Sequence, residues 1–253
     1  MPFICGGFPT VVSTGETLLA IQGAGASIVE VGIPFSDPIA DGPVIAAAMH
    51  TALAAGTTPG SVFDAVASVR SKLSIGVVAM CSISIVHRMG GSDGPAEFCR
   101  RAREAGFDGL IIPDMPLEES GALRAAAAAA SLSLSLLIAP TTPPERAAAI
   151  ARASTGFVYL LARAGITGES GAPPDIRDRV RVLRGVTDLP IACGFGISTA
   201  EHVRAVVSAG EADAAIIGSA LIRRQTEAVT RGEDASRAAA EFVRSLAAGC
   251  SPK

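Results

Sequence analysis

Ser27-Ile-Val-Glu30-Val-Gly-Ile-Pro-Phe-Ser-Asp37-Pro-Ile-Ala-Asp41-Gly-Pro-Val-Ile45 is the stretch that decides how the rest of the chain is read. Residues 28–33 are strand-forming apolar residues and one glycine, interrupted only by Glu30. A turn-rich segment with three prolines and two aspartates follows, and an Ala-rich helix pattern comes after it. Ionised carboxylates are almost never fully buried without a partner. Glu30 in a buried strand is therefore paired, protonated or present for chemistry. An apolar setting would raise its pKa.

Outward from this stretch one unit repeats: a short apolar run, a loop, then a helix pattern rich in Ala, Arg and Glu. The strand candidates are residues 3–5, 27–31, 75–80, 109–112, 134–138, 156–160, 191–193 and 214–217. Alternating strands and helices demand a parallel sheet with the helices outside. Eight such units in 253 residues fit a closed (β/α)8 TIM barrel as one domain over 1–253, and no linker or composition break divides it. Helix starts are expected at the capping-box patterns Ser13…Glu16, Thr142…Glu145 and Ser198…Glu201, and at Thr58-Pro59 and Ser92-Asp93. Gly106 and Gly210 suit helix exits. The sequence has no Asn, so left-handed positions are expected to fall mostly to its 27 glycines.

Composition narrows the function classes. Hydrophobic residues make up 49% and charged residues 18%, which supplies a large core and argues against disorder. A net charge of −3 gives no electrostatic case for nucleic acid. The longest apolar run, 125–139, is short and Ser-containing for a membrane span, and no targeting segment is visible. The five cysteines lack metal-ligand spacing and read as small core residues of a reduced, intracellular protein, so no metal is expected. His50 and His202, in helix patterns, and His87, in a loop, read as solvated.

Barrel active sites lie on the loops after the strand C-termini. Asp41 before Gly-Pro reads equally as a helix N-cap or as part of the site. Asp37-Pro38 reads as an ordinary turn. The loop at 161–174 is long and glycine-containing, as a lid would be. Gly194-Phe-Gly196-Ile-Ser198 and Gly218-Ser219 follow the last two strands, where backbone N–H groups and helix N-termini suit a phosphate. Residues 219–223 could form the short extra helix of such a site, with a further helix at 235–247.

The motif from Glu30 to Pro43 resembles the signature of the tryptophan synthase alpha family. The similarity continues through Pro113-Asp114-Met-Pro, Tyr159-Leu-Leu-Ala-Arg-Ala-Gly-Ile-Thr167-Gly168, Gly194-Phe195-Gly196 and Gly218-Ser219. This resemblance implies a cytoplasmic lyase that cleaves indole-3-glycerol phosphate to indole and glyceraldehyde 3-phosphate without a cofactor. It implies Glu30 as the acid–base residue and Asp41 as its carboxylate partner. Phe3, Ile111, Tyr159, Thr167 and Phe195 would line the substrate, and Gly168, Gly196, Gly218 and Ser219 would hold phosphate. Asp37, Pro38 and Asp114 would meet a beta subunit, which carries pyridoxal phosphate, in an α2β2 heterotetramer. The alternatives are a weakly catalytic regulatory subunit of such a partner and another phosphate-binding barrel lyase. Two departures stand out. The family's helix before strand 1 is either absent, which would leave an open barrel floor, or lost to a truncated chain start. Met80-Cys-Ser-Ile-Ser-Ile follows strand 3 where the family often has Tyr and Asn.

Overall fold

Short parallel strands send alternate side chains to opposite faces, and here both faces are buried. The computed structural model describes residues 1–38, 41–163, 175–194 and 196–250. In chain order the elements are β1 (Phe3–Cys5), α1 (Val11–Gly23), β2 (Ile28–Gly32), α2 (Pro43–Ala54), α3 (Pro59–Arg70), β3 (Gly76–Met80), α4 (Ile83–Gly90), α5 (Pro95–Glu104), β4 (Gly109–Ile111), α6 (Gly121–Ala129), β5 (Ser133–Ser135) and β6 (Leu137–Ile138). They continue with α7 (Pro144–Ala153), β7 (Val158–Leu161), α8 (Arg177–Arg184), β8 (Ile191–Gly194), α9 (Ala200–Arg204), β9 (Ala214–Ala215), α10 (Ser219–Thr230) and α11 (Ala235–Ala247).

Strands β1 to β5 pair in order and in parallel, as do β6 to β9. The ring closes where Pro2 bridges Ile217 and the Phe3 amide donates to the Ile217 carbonyl at 2.8 Å. This is the expected barrel, with one correction: the fifth predicted strand, 134–138, is two pieces. At Leu136 the amide donates to Ser154 Oγ (3.2 Å) and not along the ladder, so β5, paired with β4, and β6, paired with β7, are separate segments. Val29, Val31, Val77 and Ala79 face the helices and join the large outer core. Val78, Ile111, Tyr159, Ala192 and Ile216 pack together inside the ring.

Several helix boundaries differ from the sequence patterns because tertiary neighbours choose the cap. Thr58 caps α3 as expected, in a capping box with Ser61. For α1 the cap is Thr10, boxed with Ser13, so Ser13 is the third helical residue and not the cap. Thr142 Oγ1 accepts the Ala139 amide, and α7 starts from Pro143. Thr199, and not Ser198, caps α9. Gly94 stands before α5, while Ser92 and Asp93 lie in a 3-10 turn. His87 lies in α4 and not in a loop, and is exposed.

Gly106 ends α5 with φ +92°, in a Schellman pattern where its amide donates to Arg103 O and that of Phe107 to Ala102 O. Gly210 does not play this part. A π-helical turn at Ala205–Ala209 carries its amide to Ala205 O, and the left-handed residue becomes Glu211 (φ +62°). Of the cysteines, Cys5, Cys81, Cys99 and Cys193 are buried, while Cys250 is exposed. Among the described residues β1 is the first element, and an apolar hollow at the barrel floor is lined by Met1, Phe157, Val243 and Leu246. No helix among the described residues is long and apolar enough to cross a membrane.

Candidate active site

Glu30 sits in the middle of β2, level with Phe3 on one side and Val78 on the other. Its position in the alternation sends the carboxyl into the ring. It is 0% exposed, and neither carboxyl oxygen has a hydrogen-bond partner among the described residues. Burial pushes its pKa up to about 8. Of the three readings of a buried acid, the paired one finds no hydrogen-bond partner among the described residues. The group is held as the neutral acid, the form that low dielectric favours.

Asp41 stands one residue before Gly42, the N-cap of α2, and no side chain caps that helix. The N-cap reading of Asp41 therefore does not hold. Its amide donates to Pro38 O at 3.0 Å, which fixes the turn, and burial raises its pKa to about 6. Glu30 and Asp41 line one cavity, with Phe3, Tyr159, Gly196, Gly218 and Ser219 also on its walls. The Phe3 ring lies over Gly32; a Cβ there would stand 2.4 Å from the ring, so the close approach requires glycine. Tyr159 is buried, and burial, with the Glu30 charge second, holds its phenol well above its ordinary pKa.

The far wall suits an anion. Gly196 has φ +80°, a conformation that favours glycine. Gly218 precedes α10, so the amides of Ser219 and its neighbours begin a helix whose first N–H groups lack intrahelical partners. That helix runs twelve residues, Ser219–Thr230, and is not a short extra turn. The cavity thus pairs a neutral buried acid and a second, more readily ionised acid with an anion-accepting helix start.

The remaining predicted residues lie elsewhere. Ile111 is fully buried in the inner cluster beside Tyr159 and is not among the cavity's lining residues. Asp37, Pro38 and Asp114 line an adjacent groove. Asp114 also accepts from Ser82 Oγ (2.6 Å) and the Ile83 amide (2.9 Å), tying the start of α4. Thr167, Gly168 and Phe195 lie outside the described residues. His202 is buried and not solvated: its Nδ1 accepts the Ser198 amide at 3.4 Å, in the turn that follows Gly196. Ile45, Met80 and Ile216 also line the cavity and were not anticipated. For Met80 the signal was present, since it follows Val78 by the two-residue period of an inward strand face. Among the described residues no group of three His, Cys, Asp or Glu side chains could hold a metal.

Comparison with known proteins gives the family. The family model described as tryptophan synthase alpha chain matches residues 1–251. The tryptophan synthase alpha chain of Synechococcus sp. (strain CC9902) is 47% identical over 229 residues, covering 90% of this chain and 83% of the relative. That of Gloeobacter violaceus is 41% identical over 247 residues, covering 97% of this chain and 87% of the relative. Tryptophan synthase subunit alpha from Legionella pneumophila superposes with a TM-score of 0.87 at 31% identity, over 98% of this chain and 90% of that one. A chain of the tryptophan synthase α2β2 complex from Pyrococcus furiosus does so with a TM-score of 0.84 at 31% identity, over 97% and 96%. The chain belongs to the tryptophan synthase alpha chain family.

Proposed function

We propose that Glu30 and Asp41 are the acid pair with which this lyase of tryptophan biosynthesis cleaves indole-3-glycerol phosphate to indole and glyceraldehyde 3-phosphate. The observation that carries the reading is the state of Glu30. It is a buried acid with no hydrogen-bond partner among the described residues and a pKa raised to about 8, on the wall of the cavity that also holds Asp41 and Ser219. Breaking the carbon–carbon bond requires a proton on indole C3, which leaves a cation on the ring. Neutral Glu30 delivers that proton. The Asp41 carboxylate accepts the ring N–H and stabilises the positive charge. The Glu30 carboxylate so formed takes the proton of the glycerol hydroxyl. The bond then breaks, its electrons neutralise the ring, and an aldehyde forms.

Gly196, Gly218 and Ser219 hold the phosphate, which anchors the substrate while its other end reacts. Phe3 and Tyr159 pack against the indole. Residues 1–253 act as one domain and pair with a tryptophan synthase beta subunit in an α2β2 assembly, through the face that carries Asp37, Pro38 and Asp114. Pyridoxal phosphate belongs to that partner. Five free cysteines accord with a reducing, cytoplasmic location.

Glu30→Gln keeps the shape and removes the transferable proton. Indole release is expected to fall by at least ~10³-fold, with binding of glycerol 3-phosphate retained. Indole release within a few-fold of the unmodified protein would overturn the assignment.

A further inference from the structure

Two cavities open side by side at the C-terminal ends of the strands. One holds Glu30, Tyr159 and Ser219, and the other runs past Phe35, Asp37 and Asp114. Among the described residues only Asp41 and Met80 line both. Among the described residues the partition between them is therefore these two residues, an acid on the loop after β2 and a thioether at the end of β3.

The ladder explains why Met80 has this place. It sits one inward layer above Val78, which is level with Glu30. Its neighbours across the ladder are Gly32 and Ile111. Gly32 has no side chain to share the space, and the Phe3 ring lies where one would begin. Met80 packs against both inner apolar clusters, one containing Phe3 and Ile45 and the other Tyr159 and Ile216. It offers no hydrogen-bond donor and only a weak sulfur acceptor, and an unbranched side chain adapts to what it touches. What it contributes to the wall is volume.

We propose that Met80 is the specificity-determining residue for the aromatic half of the substrate, setting which substituents on the benzo ring the cavity admits beside Asp41. The inference rests on the cleavage reading above. If Asp41 accepts the ring N–H, the benzo ring fused next to that nitrogen meets the wall that Asp41 shares with Met80. A substituent there must displace the thioether or enter the groove beyond it.

The test uses the full chain, assayed with and without a beta subunit, on indole-3-glycerol phosphate and its four benzo-ring methyl derivatives. Met80→Ala should raise kcat/KM for at least one methyl derivative, relative to the unsubstituted compound, by ~10-fold or more, the discrimination that one methyl commands in an apolar pocket. Met80→Phe should shift the same ratio the other way, so the test stands if either variant folds. Ratios within twofold of the unmodified protein for all four derivatives would overturn the proposal. An unmodified protein that does not cleave the unsubstituted compound would instead overturn the cleavage reading on which it rests.

Discussion

Glu30 has no hydrogen-bond partner among the described residues, and this has consequences for stability as well as for chemistry. Its ordinary pKa is 4.5, and in the fold it is pushed up to about 8. Below 4.5 both folded and unfolded chains hold the proton. Between 4.5 and about 8 the unfolded chain releases it while the folded chain keeps it, so stability falls as pH rises through that window. Glu30→Gln cannot ionise, so urea titrations should show its stability gaining on the unmodified protein from pH 5 to pH 8, by on the order of a few kcal/mol. Activity should obey the same two groups. The proposed mechanism uses Asp41 ionised and Glu30 protonated, so kcat/KM should rise with pH through about 6 and fall through about 8. Asp41→Asn should weaken the reaction and abolish the low-pH limb. A low-pH limb that persists in Asp41→Asn would assign it to another group.

Among elements, the helix exits separate what local sequence encodes from what it leaves strained. Gly106 and Ser131 hold the same position in the same motif. After α6 the Ser131 amide donates to Ala128 O and that of Leu132 to Ala127 O, the pattern seen after α5. Gly106 adopts φ +92° freely, while Ser131 adopts φ +55° with a Cβ in the way. Ser131 is exposed, so Ser131→Gly should stabilise the fold by ~1 kcal/mol, read as a rise in Tm. Gly106→Ala should destabilise it by ~2 kcal/mol or more, because a Cβ there would lie 2.4 Å from Arg70 Cγ. That Arg70 is itself held, with Nη2 donating to both carboxylate oxygens of Asp108 at 3.1 Å. Asp108 Oδ2 in turn accepts the Val77 amide at the start of β3, so strain at Gly106 would reach the strand that ends at Met80.

Across the whole molecule, the barrel sets the groove that carries Asp37 and Asp114 beside the cavity that holds Glu30, and among the described residues Asp41 and Met80 line both. Asp37 is exposed, and among the described residues its carboxylate accepts only from Ser36 Oγ of the same turn (2.6 Å). Asp37→Ala should leave Tm within the small range of surface substitutions and weaken beta-subunit association by ~10-fold, measured by calorimetric titration. Asp114→Ala should lower both, since it also removes the tie to Ser82 and Ile83. Unchanged association in Asp37→Ala would place the partner on another face.

The alternation of short strands with helices, the parallel closed sheet and the anomaly at Glu30 were legible in the sequence, while the number of strands and the extent of several helices were not. The legible features depend on two-residue and 3.6-residue periods and on the cost of burying one carboxylate, which are properties of short segments. Tertiary structure decided the rest, because it depends on residues far apart in the chain. Ser154 reaches across to take the Leu136 amide and divides the fifth strand. The seat of His202 against Ser198, and the loss of any capping role for Asp41, follow from how the loops settle on the closed ring. Closure also sets Glu30 among apolar residues of other strands, with no hydrogen-bond partner among the described residues; no reading of β2 alone could separate a paired acid from a protonated one.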